Sequence, residues 1–172
     1  MKKENRLLPT KIGMGSIKYL KKKLTKSIEN KKRIKSFEFA YSQNINFFDT
    51  AEIYENGESE KIIGKFIKDK RSKIFLSTKF STCNRSKEDI IKACENSLKR
   101  LKTDYIDLYQ PHWPDPEVDF KEQIEALEFL HFKKKILNIG LSNCSLKQIS
   151  YAKSFLGEKL FSHQDKLNLI SK

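Results

Sequence analysis

The 172-residue chain carries 35 Lys and Arg against 22 Asp and Glu, a formal net charge of +13, and only three cysteines. That length holds one sizeable core and no second domain, and no stretch reads as a long flexible linker. No apolar run reaches the length of a membrane span, the basic N-terminus lacks the apolar stretch of a signal peptide, and Cys83, Cys94 and Cys144 show neither close pairing nor metal-ligand spacing; no membrane, disulfide framework or metal site is expected, and a reducing cytoplasm fits best.

The first element is TKIGMGS (10–16), a strand ending in glycines whose Gly13 and Gly15 let backbone lie close to a ligand or neighbouring strand. A helix follows over 25–43, with Ile28, Ile34, Phe37, Ala40 and Tyr41 as a ragged apolar face. The segment around its start is crowded with Lys18, Lys21, Lys22, Lys23, Lys26, Lys31, Lys32, Arg33 and Lys35. It reads as a solvated lysine face. A nucleic-acid site favours arginine forks and exposed aromatics, and here only Arg33 and Tyr19 are on offer, so nucleic acid is not the expected partner.

Ile45, Phe47 and Phe48 form a short apolar strand that stops at Asp49, and Tyr54 follows on a loop. Gly57 then opens a helix with Ile62, Ile63, Phe66 and Ile67 at helical spacing. The run IFLST (74–78) is apolar and β-branched, as a parallel strand covered on both faces requires, and ends at Lys79. Ser86 and Asp89 make a capping box for a helix striped by Ile90, Ile91, Cys94, Leu98 and Leu101. Residues 105–109 are a fourth strand ending at Gln110, Pro111, His112 and Trp113, where Pro111 withdraws a ladder donor. Ile124, Leu127 and Leu130 pattern the next helix, 136–141 a fifth strand ending at Ser142 and Asn143, Leu146, Ile149 and Ala152 another helix, and 160–164 a sixth strand. Alternating strand and helix means parallel α/β organisation.

Asp49, Tyr54, Lys79 and His112 stand at or just beyond the ends of successive strands. Taken singly, Lys79 is a surface lysine, Tyr54 a loop aromatic, Asp49 a helix cap and His112 a structural histidine. In a β/α barrel such positions converge on the C-terminal face of the strands, so the four are expected to share one pocket.

The stretches INFFDTAEIYENGESE (45–60), STKF (77–80), LKRLKTDYIDLYQPHWPDP (98–116) and IGLSNCS (139–145) resemble the aldo-keto reductase family along nearly the whole chain. The resemblance implies a parallel (β/α)8 TIM-type barrel, which takes about 250 residues. The chain is expected to hold about six βα segments of it as one partial domain, 1–172, without the last strands and the segment that grips the adenosine phosphate. The implied chemistry is hydride transfer from NADPH, with NADH not excluded, to a small-molecule aldehyde or ketone. Tyr54 would donate the proton, Lys79 would favour its phenolate, Asp49 would hold Lys79, and His112 would orient the carbonyl oxygen. Trp113 would wall the substrate pocket, and Ser142, Asn143 and Gln164 would bind the nicotinamide carboxamide.

Glu55, Lys102 and a lysine of HFKKKI (131–136) stand where the family has glycine, each costing roughly 1 kcal/mol at a left-handed position. An unclosed barrel would leave apolar strand edges for self-association, and the alternative function is a non-catalytic barrel remnant acting as a protein-binding module.

Overall fold

The computed structural model describes residues 7–17, 26–115 and 119–169; Lys18, Tyr19, Lys21, Lys22, Lys23 and Pro116 lie outside them. Six parallel strands run in sequence order: β1 (Gly13–Gly15), β2 (Phe47–Asp49), β3 (Phe75–Phe80), β4 (Leu108–Pro111), β5 (Ile139–Ser142) and β6 (Leu160–Gln164). Helices α1 (Lys26–Ser42), α2 (Glu58–Ile67), α3 (Lys87–Leu101), α4 (Phe120–Phe132) and α5 (Leu146–Leu156) connect them. This is the βα repeat read from the apolar pattern.

Strand alternation sorts the side chains into two layers. Phe48, Leu76, Phe80 and Tyr109 are buried under the helices. There Phe48 meets Phe37 of α1 and Phe66 of α2 at ring distances of 5.9 and 4.9 Å. The intervening residues face inward. Phe47 packs edge-on against Phe75, and Phe75 stacks on Phe161 of β6 at 5.7 Å, a contact between strands three apart that requires the sheet to curl into a half-barrel. The register between β5 and β6 shifts so that Ile139 opposes Leu160 while Gly140 opposes Ser162. Phe161 is the residue passed over, and the bulge turns its ring toward Phe75.

Several boundaries differ from the sequence reading. β3 continues through Lys79 to Phe80, so Lys79 lies inside a wholly buried strand. β4 starts at Leu108 and runs through Pro111, because 105–107 make only an isolated bridge, Ile106 to Ile136. Pro111 is tolerated as the last residue of its strand. The next amide, His112, donates to Phe80 O of β3 at 2.9 Å, so alternation aims the proline nitrogen toward β5, where only Tyr109 and Ile139 pair. Of the two early glycines, Gly13 has its space filled by the Phe47 ring, whereas nothing crowds Gly15.

The capping box closes as read: Asp89 N donates to Ser86 Oγ (3.1 Å) and Ser86 N to Asp89 Oδ2 (3.3 Å). Glu55, Lys102 and Lys134 all adopt the left-handed conformation, with φ of 54°, 55° and 56°. Within the basic cluster, Lys31, Lys32 and Lys35 are exposed, but Arg33 is not part of that face; it turns inward.

Candidate active site

Pairing places Asp49 opposite Ser77, and Lys79 two residues further along β3 on the same inward face. Lys79 is 2% exposed, so its ammonium needs partners. It donates to both oxygens of Asp49, at 2.7 and 2.6 Å, and to Thr50 O at 3.0 Å. Ser77 Oγ donates to Asp49 Oδ1 at 2.8 Å and fixes the carboxylate from the other side. Ser77 and Thr50 were not singled out from sequence; period-two alternation from Lys79 finds the first.

Backbone bonds carry the β2–β3 pairing into the loop above. Thr50 N donates to Ser77 O (3.0 Å) and Glu52 N to Lys79 O (3.1 Å). These bonds set the half-buried Tyr54 beside the pair, with Lys79 Nζ 5.8 Å from its ring centre. His112 comes in from the end of β4. Its ring lies edge-on to Tyr54 at 5.4 Å and stacked on Trp113 at 3.8 Å. Burial lowers the His112 pKa to about 4, with the Lys79 charge adding to the effect and Asp49 opposing it. The imidazole is therefore neutral at pH 7, a single N–H donor.

From β5 and β6 come Ser142, Asn143 and Gln164. Asn143 Nδ2 donates to His112 O (2.8 Å) and Ser142 Oγ (3.1 Å), and its backbone N donates to Gln164 O (3.0 Å). Gln110 Nε2 donates to Gln164 Oε1 at 2.6 Å. All eight residues singled out from sequence lie at one end of the half-barrel. A cavity of about 610 Å³ is lined by Tyr54, Lys79, His112, Trp113, Ser142, Asn143 and Gln164, together with Ile17, Ile53, Glu55, Asp165 and Lys166; Asp49 does not line it but is bonded to Lys79, which does. A larger hollow, about 1360 Å³, opens at the other end among Tyr105, Asp107, Phe129, Phe132, Ile136 and Phe155. It lies toward the N-terminal ends of the strands, away from this cluster, where a β/α barrel does structural rather than chemical work.

A second polar network stiffens the site from outside. Glu60 of α2 is fully buried, accepting from Thr78 Oγ1 (2.7 Å) and Arg100 Nε (2.5 Å). Glu52 accepts from Ser81 N and Asn84 Nδ2, both at 2.5 Å, and so ties the Tyr54 loop to the loop after β3. Neither carboxylate was flagged from sequence, since their partners lie from 18 to 40 residues away.

The model of the Aldo/keto reductase family matches residues 11–171. Among curated proteins, Aldo-keto reductase YhdN of Bacillus subtilis is 44% identical over 133 residues, covering 70% of this chain and 40% of the relative. Methylglyoxal reductase YeaE of Escherichia coli is 41% identical over 99 residues, covering 58% and 34%. Among solved structures, the thermostable aldo-keto reductase Tm1743 bound to the inhibitor epalrestat superposes with a TM-score of 0.83 at 32% identity, covering 93% of this chain and 58% of that one. The aldo/keto reductase from Klebsiella pneumoniae in complex with NADP and acetate gives 0.78 at 28% identity, covering 88% and 52%. The chain thus spans at most 40% of these curated relatives and little more than half of these structures.

The lowered pKa of His112 has a measurable sign. Its folded value lies below the unfolded one, so the folded chain binds fewer protons, and stability held above about pH 6.5 is lost as pH falls toward 4. NMR titration of the His112 ring should give a midpoint near 4; a midpoint near 6.5 contradicts the buried, Lys79-facing environment.

Proposed function

This chain belongs to the aldo/keto reductase family, and from that premise we propose that it reduces the carbonyl of a small aldehyde or ketone with NADPH as hydride donor. The observation that carries the reading is the Lys79–Asp49 pair beneath Tyr54, sharing one cavity with His112 and with the amides of Asn143 and Gln164.

The residues of that cavity suit a nicotinamide carboxamide, which presents one acceptor and one amino donor. Asn143 spends its amino group on His112 O and Ser142, leaving Oδ1 as an acceptor. Gln164 Oε1 is occupied by Gln110, leaving Nε2 as a donor. With Ser142 they form a complementary set. NADPH, when bound, supplies the hydride; NADH would supply the same one, and the structure of the Klebsiella relative with NADP favours the phosphorylated form.

The chain's own part is to receive the negative charge that develops on the carbonyl oxygen. Neutral His112 donates a hydrogen bond to that oxygen and orients it. Tyr54 transfers its phenolic proton to the same oxygen. The Lys79 ammonium stabilises the phenolate left behind, and Asp49, braced by Ser77, keeps the ammonium in place. Trp113 is 45% exposed and walls the open side, where the substrate enters.

The name of the Escherichia coli relative makes methylglyoxal the first carbonyl to assay. Tyr54→Phe should lower NADPH-dependent turnover by roughly 10²–10⁴ while leaving cofactor affinity largely intact. Equal turnover in wild type and variant contradicts the proton-donor assignment.

A second reading rests on the sheet's edges. In the described structure β1 pairs only with β2 and β6 only with β5, which leaves one edge of each open. Such edges pair with other chains, and we infer that a second copy associates through them. Light scattering should show molar mass rising with concentration; a constant monomer mass over a wide concentration range contradicts it.

A further inference from the structure

We propose that Arg33 is a positioning residue for Tyr54, compensating for a non-glycine backbone in the loop that carries it; the assignment rests on the proton-donor reading of Tyr54. Immediately after Tyr54, three residues in a row have positive φ: Glu55 at 54°, Asn56 at 53° and Gly57 at 81°. Gly57 suits that region at no steric cost and Asn56 tolerates it through its short polar side chain. Glu55 does neither. A residue with a Cβ in the left-handed region is disfavoured by roughly tenfold in a conformational equilibrium, so the loop needs an external tie to hold this path.

Arg33 supplies the tie. Although it belongs by sequence to the lysine-rich segment, its side chain is only 15% exposed and reaches three elements at once. One nitrogen, Nη1, pairs with the Glu55 carboxylate. The other, Nη2, donates to Ser16 O at the end of β1 (2.8 Å) and to Ser59 Oγ at the start of α2 (3.1 Å). Ser59 Oγ in turn lies 2.7 Å from Ser16 Oγ and 3.1 Å from Thr50 Oγ1. Thr50 is the residue whose carbonyl accepts from Lys79 Nζ. The guanidinium therefore clamps the C-terminal side of the Tyr54 loop to the end of β1 and, through Ser59, reaches the residue that holds Lys79. A planar fork with fixed donor directions can do this; a lysine in its place presents a point charge and keeps only the pairing with Glu55.

Arg33 matters to the loop because residue 55 is not glycine. With glycine at 55 the left-handed path carries no Cβ penalty, and the clamp becomes largely dispensable. The test is a double-mutant cycle of Arg33→Ala and Glu55→Gly in the full chain, read by hydrogen exchange at Asn56, Glu58 and Ser59, with Glu55→Gln, which removes the charge pair but keeps the Cβ, as the control in which the effect of Arg33→Ala should stay close to its wild-type size. Those amides donate to Ile53 O, Glu55 O and Tyr54 O across the loop at 3.3, 3.2 and 3.4 Å.

Arg33→Ala should raise exchange at these three positions roughly tenfold, with the amides of α3 unchanged, and should raise it only about twofold in the Glu55→Gly background. Turnover should follow the same pattern: kcat for methylglyoxal falls in Arg33→Ala with KM for NADPH unchanged, and Glu55→Gly recovers most of the loss. Equal effects of Arg33→Ala in both backgrounds, or no effect on loop exchange, overturn the proposal. If Arg33→Ala does not fold, the same cycle with Arg33→Lys decides it, with smaller ratios of the same sign. A protein that reduces no carbonyl in any form while the exchange cycle shows the coupling refutes the proton-donor reading and upholds Arg33 as the tie of the loop.

Discussion

A lysine ammonium inside a barrel is the constraint from which the rest of this structure follows. Lys79 is 2% exposed, and an unpaired charge at that depth would simply not persist in a stable fold. Two strands solve the problem jointly: β2 ends on Asp49 and β3 carries Lys79 on the same face, braced by Ser77 and Thr50. Removing one member of such a pair typically costs roughly 3–5 kcal/mol, because the other is left buried and uncompensated. The pair therefore acts on register as well as on chemistry. A one-residue slip of β2 against β3 would turn one of the two charges into the apolar layer under the helices, among Phe37, Phe66 and Ile63.

Around that pair the chain uses polar ties between distant segments. Glu60 with Arg100 and Thr78 locks α2 to α3 and β3; Glu52 joins two loops; Arg33 joins β1, the Tyr54 loop and α2. Each tie is partly or wholly buried, and each involves residues next to a group placed in the cavity. The cavity end of the half-barrel is held by these networks as much as by its apolar layer, consistent with the left-handed loop residues that the backbone alone would not favour.

Much of this was legible in the sequence, because strand and helix periods are local. The order of eleven elements and the Ser86–Asp89 capping box could be read from alternation and spacing, the family resemblance pointed to Asp49, Tyr54, Lys79, His112, Ser142, Asn143 and Gln164, and the structure brings those residues to one end. Strand limits were less legible. Lys79 sits inside β3 because a charged residue paired across the sheet looks, from sequence, like a strand end. Pro111 belongs to β4 because its missing donor points where no ladder bond is made. The partners of Glu60, Glu52 and Arg33 were invisible, since nothing local distinguishes a buried arginine in a lysine-rich helix from its solvated neighbours.

The nicotinamide pocket proposed at these strand ends lies within this chain. Trp113, its only tryptophan, stacks on His112 and lines that cavity, so its emission reports on the site directly. Titration of the folded protein with NADPH should give saturable quenching of Trp113 with energy transfer to the nicotinamide. Unchanged emission across the titration, in a sample whose circular dichroism shows the helices and strands in place, would contradict the claim.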